Sequence, residues 1–273
     1  MLLFKILLVF HILGDFYFQS NKLSHLKNDK TRYLIIHATT YTIMYIPLFL
    51  ISTKIIAVLL TLFILFITHI IIDHSMSKIS HGNKCIKLLL IDQSIHILTL
   101  IIGWFILKNT VIDLATINDF LKKFELLVSF ENTISIVLVF LLIGRPASII
   151  IERIIPAEIK TTKEEHPSDK EIDLKDIKFA DLNDQKNLCE DFEMSEQFQK
   201  NKINYGSLIG MLERIIIVLL AMLNLWSSIA LVFTAKSIAR FKQLEDKNFA
   251  QKYLIGTLLS LSITLIVVLI FMR

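Results

Sequence analysis

Histidine and aspartate recur at helical spacing inside the most apolar segments of this 273-residue chain. In the opening segment, His11, Asp15 and Gln19 stand at positions i, i+4 and i+8, which lie on one face of an α-helix. Later apolar segments carry His37, the pair His69 and Asp73, and the pair Asp92 and His96. Imidazole and carboxylate groups are costly in hydrocarbon, so their repeated presence predicts one shared polar site within a membrane.

The apolar residues make up 54% of the chain and are gathered into long runs, with a mean hydropathy of +0.61. A helix that crosses about 30 Å of hydrocarbon needs about 20 residues. The opening run, Met1–Phe18, is barely long enough and would span, tilt or enter one leaflet. The stronger runs are Tyr33–Ile51, Ile55–Asp73, Cys85–Leu107, Thr133–Ile151, Ile215–Ala235 and Tyr253–Met272. We therefore predict an all-α, polytopic membrane protein with six or seven hydrophobic segments and a hydrophilic acidic loop.

Composition divides the chain into four parts. Residues 1–108 are predicted to form an N-terminal membrane helical bundle that holds the His/Asp cluster, and residues 109–152 an amphipathic connection followed by a membrane helix. Residues 153–205 are charged and poor in aromatic residues, which is typical of a flexible extramembrane loop. Residues 206–273 are predicted to form a C-terminal transmembrane helical hairpin. Pro146, inside an apolar run, predicts a kink or a helix restart.

The basic loops that follow the first and third runs indicate on which side of the membrane the cluster lies. The loops 19–32 and 74–87 both carry lysines, so both are expected to be cytoplasmic. If the later runs are antiparallel spans, the polar residues fall at similar depth near the cytoplasmic leaflet. The loop after Ala235 is also basic, yet one crossing per run would place it on the opposite side. The topology of the last hairpin therefore stays open.

The residue types of the cluster suit a divalent metal. Neutral imidazole and carboxylate bind zinc, manganese or iron, and a pair at i, i+4 can chelate one ion. The candidate ligands are His11, Asp15, His37, His69, Asp73, Asp92 and His96. They would hold one ion with supporting residues, or a two-metal centre. Asp92 is the favoured general base and Asp15 the second candidate catalytic carboxylate, while Gln19 and Gln93 would support the ligands.

Other interpretations of the same residues remain open. Each His/Asp pair could be a structural hydrogen bond between helices, and the whole set could form an ion or proton path. A membrane sensor that contacts a cytosolic partner through residues 153–205 is a further alternative. The chain has no GxSxG, P-loop or GxGxxG motif, and no aromatic-rich basic motif for nucleic acid. Its two cysteines have no CxxC partner, so neither a thiolate zinc site nor a disulfide framework is expected.

Several of these stretches resemble a bacterial integral membrane family catalogued as domain of unknown function 3307. The resemblance rests on HILGDFYFQ (11–19), His37, HIIID (69–73) and LIDQSIH (90–96), and on GSLIGMLERIIIVLL (206–220), TAKSIARF (234–241) and YLIGTLLSLSI (253–263). It implies a multi-pass protein of the bacterial cytoplasmic (inner) membrane without an established activity. It also implies that Glu213, Arg214, Lys236 and Arg240 contact lipid headgroups or a partner around the last hairpin.

The residues and the resemblance lead to one functional expectation and one alternative. The expectation is a metal-dependent hydrolase that acts on a membrane lipid or another membrane-associated ester through the His/Asp site. The alternative is a non-enzymatic ion or proton transport module, or a membrane sensor.

Overall fold

The computed structural model describes residues 1–19, 31–80, 86–110, 130–155 and 205–272. These residues are helical, with no β-strand among them, which confirms the predicted all-α class. The helices are α1 Leu2–Ile12, a π-helix Leu13–Tyr17, α2 Thr31–Ile43, α3 Leu48–Ile51, α4 Ile55–Ser80, α5 Ile86–Leu107, α6 Phe130–Ile143, α7 Arg145–Ile154, α8 Tyr205–Met222, α9 Ser228–Ala239, a 3₁₀-helix Phe241–Glu245 and α10 Lys247–Phe271.

The chain divides into a unit of residues 1–156 with 210–273 and a second unit of residues 157–209. Almost all of the second unit, and with it the predicted acidic loop 153–205, lies outside the described residues. So does most of the predicted amphipathic connection that begins at residue 109. The packing below belongs to the first unit, and the predicted domain boundaries stay predictions.

Five helical stretches in the described part of the chain are long and apolar enough to cross a membrane. They are Thr31–Ile51, Ile55–Ile79, Ile86–Leu107, Phe130–Ile154 and Lys247–Phe271. This architecture fits a multi-pass membrane protein. The opening segment is helical only from Leu2 to Tyr17, which at 1.5 Å per residue is about 24 Å. It is therefore shorter than the membrane core.

One predicted span is wrong as a single helix. The run Ile215–Ala235 is divided by a turn between α8, which ends at Met222, and α9, which begins at Ser228. Asn224 in this turn has a φ of 58°, a left-handed conformation that asparagine tolerates better than most residues. Hydropathy did not reveal the turn, because it lies between two apolar stretches. The described residues after 205 form three α-helices rather than a simple hairpin.

In the N-terminal bundle, α4 packs against both α2 and α5, and α1 packs against both α5 and α6. The core combines α1 residues such as Leu7 with the buried rings of Tyr41 and Tyr45 and with Leu100 of α5. Helix α10 packs on α6 and α7. This arrangement brings the polar faces of α1, α2, α4 and α5 together.

The break between α6 and α7 is held by a buried arginine. The helix restarts at Arg145 with Pro146 in its first turn, which confirms the predicted restart. Arg214 of α8 is 3% exposed and donates from Nε to the carbonyl oxygen of Ile143 at 2.6 Å. Its Nη2 donates to the carbonyl of Gly144 at 3.4 Å and to Oγ of Ser148 at 2.6 Å. The guanidinium therefore satisfies carbonyl groups at the break.

Replacing this arginine should destabilise the bundle. Arg214→Gln removes charge-assisted hydrogen bonds to buried carbonyls, so we expect a loss of about 2 kcal/mol in the free energy of unfolding. The measurement is thermal or denaturant-induced unfolding in detergent. Arg32→Gln, at an exposed arginine in the first turn of α2, is the matched control and should change stability by less than about 0.5 kcal/mol. Equal losses in both variants would contradict a role at the break.

Candidate metal centre

Asp15 is carried by the π-helix that follows α1. The switch from α to π geometry at Leu13 widens the turn, and the helix ends at Tyr17. Such turns occur mainly at functional sites because they reorient one side chain within an otherwise regular helix. Gly14 permits the approach of this turn to α2: a Cβ built on it would lie 2.9 Å from Cδ2 and 3.1 Å from Cα of Tyr41. The carboxylate of Asp15 therefore enters the bundle next to α2.

Two histidines and two aspartates from three helical segments meet at close range. His37 Nε2 lies 3.1 Å from His69 Nε2, 3.4 Å from Asp15 Oδ1 and 3.5 Å from Asp73 Oδ2. His69 Nε2 is also 3.6 Å from the same Asp73 oxygen. His37 and His69 are 0% and 1% exposed. We call Asp15, His37, His69 and Asp73 the first group; α2, α4 and the π-helix supply it.

A second group shares Asp15 with the first. Asp15, Asp92 and His96 each present a ligand atom within 4.8 Å of the other two. His96 Nε2 is 3.6 Å from Asp92 Oδ1 and 3.8 Å from Asp73 Oδ1, which is too far for a hydrogen bond. It has no hydrogen-bond partner among the residues that the structure describes. His96 is 1% exposed. The two oxygens of Asp73 thus face different histidines: Oδ2 faces His37 and His69, and Oδ1 faces His96.

Gln93 orients two of the carboxylates. Its side-chain Nε2 donates to Oδ2 of Asp15 at 2.8 Å and to Oδ2 of Asp92 at 3.1 Å. The other oxygen of each carboxylate, Oδ1, is the one that faces His37 or His96. A hydrogen-bonded carboxylate holds its orientation, as the supporting residues of metal sites do.

His11 reaches this network from the other side. Tyr45 donates its O–H to Tyr41 at 2.8 Å, so the single proton of the Tyr41 hydroxyl is left for His11 Nδ1 at 3.1 Å. His11 Nε2 then donates to Oε1 of Gln93, also at 3.1 Å. The assignment follows from the donors and acceptors available. Both ring nitrogens of His11 are used, so it lies beside the two groups and supports Gln93. The ring of Tyr41 stacks on His69, with centroids 3.9 Å apart and planes 10° apart.

The site residues of α2, α4 and α5 lie at similar distances from the ends of their helices. His37 comes six residues after the start of α2, Asp73 seven residues before the end of α4, and Asp92 six residues after the start of α5. At 1.5 Å per residue these offsets are about 9–10 Å. The side chain of Asp92 is 21% exposed, whereas those of Asp15 and Asp73 are 8% and 5% exposed. The site is therefore most open beside Asp92.

Contacts from the α6–α7 break hold the π-helix in place. Arg145 Nη1 donates to the carbonyl oxygen of Phe16 at 2.8 Å. Tyr17 donates its O–H to the carbonyl of Leu141 at 2.9 Å and accepts from the backbone N–H of Arg145 at 3.2 Å. A Cβ at Gly144 would clash with the Tyr17 hydroxyl oxygen, so only glycine leaves room for it. These contacts fix the backbone on the C-terminal side of Asp15.

The structure brings together six of the seven residues predicted as ligands, with His11 at their edge. Their division between ligands and acid/base groups stays a prediction. Gln19 lies beyond the helix end instead of on the shared face, and its carbonyl accepts from Arg145 at 3.4 Å. Sequence reasoning missed Tyr41 and Tyr45. Their signal was present, because they follow His37 at i+4 and i+8.

Comparison with known proteins gives a similarity to one family over less than half of the chain, and it gives no activity. Residues 3–125 match the model of a family described as Protein of unknown function (DUF3307). All of the predicted ligand residues fall in this range, whereas the tail motifs of residues 206–263 lie beyond it. No curated protein and no solved structure matches the chain.

The close approach of the π-helix to α2 can be tested with a single methyl group. Gly14→Ala should push the turn away from the Tyr41 backbone, displacing Asp15 and lowering the free energy of unfolding by about 1–3 kcal/mol. Gly103→Ala is the matched control, since its new Cβ would meet only the Cγ2 methyl of Thr61, at 3.1 Å. Unfolding in detergent compares the two variants. A larger loss at Gly103 than at Gly14 would contradict this packing.

Proposed function

We propose that the His/Asp site, which lies in the residues 3–125 that match the DUF3307 model, binds a divalent metal and hydrolyses an ester or phosphoester of a membrane lipid. The proposal depends on one observation above all: the spacing of the ligand atoms in the first group. Ligands at 2.0–2.1 Å from a tetrahedral ion lie about 3.3 Å from each other. His37 Nε2 lies 3.1, 3.4 and 3.5 Å from His69, Asp15 and Asp73.

The donor types support a transition metal. Two imidazoles with two carboxylates suit zinc, manganese or iron, and such sites commonly use hydrogen-bonded carboxylates around the ligands. Gln93 supplies this hydrogen bond to Asp15, and Tyr41 fixes the His69 ring by stacking. Asp15, His37, His69 and Asp73 would hold the ion. His11, with both ring nitrogens hydrogen-bonded, would support them through Gln93.

The chemistry that such an ion supplies is a lower pKa for a bound water, which makes a nucleophile available at neutral pH. Asp92 is placed to take the proton, because it is the most exposed of the three carboxylates and its Oδ1 faces the interior of the site. Water adds to the carbonyl carbon or phosphorus of the substrate. The departing alkoxide takes a proton back, so the reaction consumes one water and forms an acid and an alcohol.

The side chains around Asp92, where the site is most open, favour a substrate that is itself in the membrane. Leu90, Ile91 and Ile95 of α5 flank Asp92 in the sequence and are 54%, 50% and 39% exposed. A lipid ester at the depth of the site, about 9–10 Å from the helix ends, would meet this apolar surface before it reaches Asp92. The bacterial inner membrane and the cytoplasmic leaflet remain the proposed location.

A proton path is the second candidate, and the hydrogen-bond chain from Tyr45 through Tyr41 and His11 favours it. The chain continues through Gln93 to Asp15 and Asp92. An amide accepts on oxygen and donates from nitrogen, and it does not exchange the two protons as a hydroxyl or imidazole does. Gln93 therefore interrupts proton transfer while serving well as a support for ligands. A sensor role that uses residues 153–205 stays an expectation outside the described residues.

Metal content is the decisive measurement. Protein purified in detergent without chelators should contain near-stoichiometric zinc, manganese or iron by elemental analysis. His69→Ala should lose at least tenfold in metal affinity, because it removes one of the ligands. His74→Ala, five residues further along α4 and exposed, is the matched control and should retain the metal. Metal-free parent protein, or equal loss in both variants, would contradict the metal site.

A second experiment separates hydrolysis from metal binding. Asp92→Asn should keep the metal content of the parent, since Asp92 is outside the first group, but should lower turnover about 10²–10⁴-fold by removing the proton acceptor. The probes are p-nitrophenyl butyrate and a fluorogenic phospholipid in mixed micelles. Chelation should abolish the same activity, and added metal should restore it. A metal-loaded parent that cleaves neither ester nor phosphoester would contradict the hydrolase proposal and leave the metal site standing.

A further inference from the structure

Two cationic side chains converge on the ring of Tyr253, far in sequence from the His/Asp site. Lys236 Nζ lies 5.4 Å and the Arg240 guanidinium carbon 5.9 Å from the ring centroid. Lys236 and Arg240 are one helical turn apart at the end of α9, and Tyr253 is in the second turn of α10. Each cation gains from the ring face, but the two repel each other.

The donors in this cluster outnumber the acceptors. Glu213 pairs with Lys236, which leaves the positive charge of Arg240 in excess. The hydroxyl of Tyr253 is buried and has no hydrogen-bond partner within the described part of the chain. A buried hydroxyl without a partner costs free energy comparable to a lost hydrogen bond. The phenol O–H, the ammonium and the guanidinium form a donor set. With the Glu213 carboxylate counted, the cluster has a net charge of plus one, which suits a singly charged anion such as a phosphodiester.

The position of Tyr253 in α10 identifies the source of that anion. Helix α10 has 25 residues, or about 37 Å, so it exceeds the membrane core of about 30 Å by about one and a half turns. The residues before Tyr253 include Lys247 and Lys252, and the apolar run begins at Tyr253 itself. Lysine and tyrosine at such a boundary are typical of the headgroup region of a bilayer. The phosphodiester nearest to this cluster is therefore that of a phospholipid.

We propose that Lys236, Arg240 and Tyr253 bind the phosphate of an anionic phospholipid, one whose headgroup has no ammonium. A choline or ethanolamine headgroup would bring a second cation towards Lys236 and Arg240, which disfavours it. The adjoining face of α9 supports the same occupant. Ile238 and Phe241 are 71% and 70% exposed there and border an apolar groove with Phe233 and Leu244. This groove accepts the acyl chain of the lipid whose phosphate lies over Tyr253.

The experiment is native mass spectrometry of the full chain in detergent, titrated with dioleoyl phosphatidylglycerol or dioleoyl phosphatidylcholine. The parent should bind the first lipid about tenfold more tightly than the second. Arg240→Gln should weaken phosphatidylglycerol binding about tenfold, and Tyr253→Phe should weaken it several-fold without loss of the ring. Arg240 is the informative cation, because replacing Lys236 would also leave Glu213 without its partner.

Lys242→Gln is the matched control: it removes one positive charge at an exposed lysine two residues from Arg240, and binding should stay within about twofold of the parent. Equal losses at Lys242 and Arg240 would indicate diffuse attraction to the anionic lipid and would overturn the site. So would an Arg240→Gln variant that binds as the parent does. A third contrary result is that inorganic phosphate displaces phosphatidylglycerol completely, with no higher affinity for the lipid than for phosphate alone. That result would assign the cluster to a free anion and overturn the lipid proposal.

Discussion

The burial of three carboxylates against four imidazoles determines how the rest of the bundle is built. Carboxylates inside an apolar helical bundle are stable only when hydrogen bonds or positive charge compensate their lost hydration. Gln93 hydrogen-bonds Asp15 and Asp92, and Asp73 turns both of its oxygens towards histidines. Each carboxylate carries negative charge when ionised, and three at this range repel one another strongly. A divalent cation relieves that repulsion directly, which neutral hydrogen bonds do not.

The ligand positions depend on two interruptions of regular helix. The π-helix directs Asp15 towards α2, and the break at Gly144 lets Tyr17 and Arg145 hold the end of that π-helix. Irregular backbone at membrane depth persists only where protein groups satisfy it. Arg214 does so for the break from α8, outside the part of the chain that matches the family model. Residues of the C-terminal half therefore support the geometry of a site whose candidate ligands are all N-terminal.

Spacing predicted the pairs within one helix because i, i+4 geometry is local. His69 with Asp73 and Asp92 with His96 needed only a regular helix, and Pro146 marked its own helix restart. Features that depend on contacts between helices had no such local signal. The π-helix excluded Gln19 from the shared face, and the turn at Asn224 divided a run that hydropathy treated as one. The spacing of Tyr41 from His37 was readable, but an aromatic residue in an apolar helix usually indicates core packing.

The two polar sites place charged groups in an apolar helical bundle in opposite ways. Around His37 the polar groups are buried and face one another. A ligand that enters there must be small, and its binding must relieve the repulsion among the carboxylates. A metal ion meets both conditions. Around Tyr253 the cluster keeps a net positive charge and a donor that is unused within the described residues, so the ligand proposed there is an anion at the membrane surface. Neither set of contacts includes a residue of the other. Loss of metal binding should therefore leave lipid binding intact, and a variant that abolishes both would point to misfolding instead of to either site.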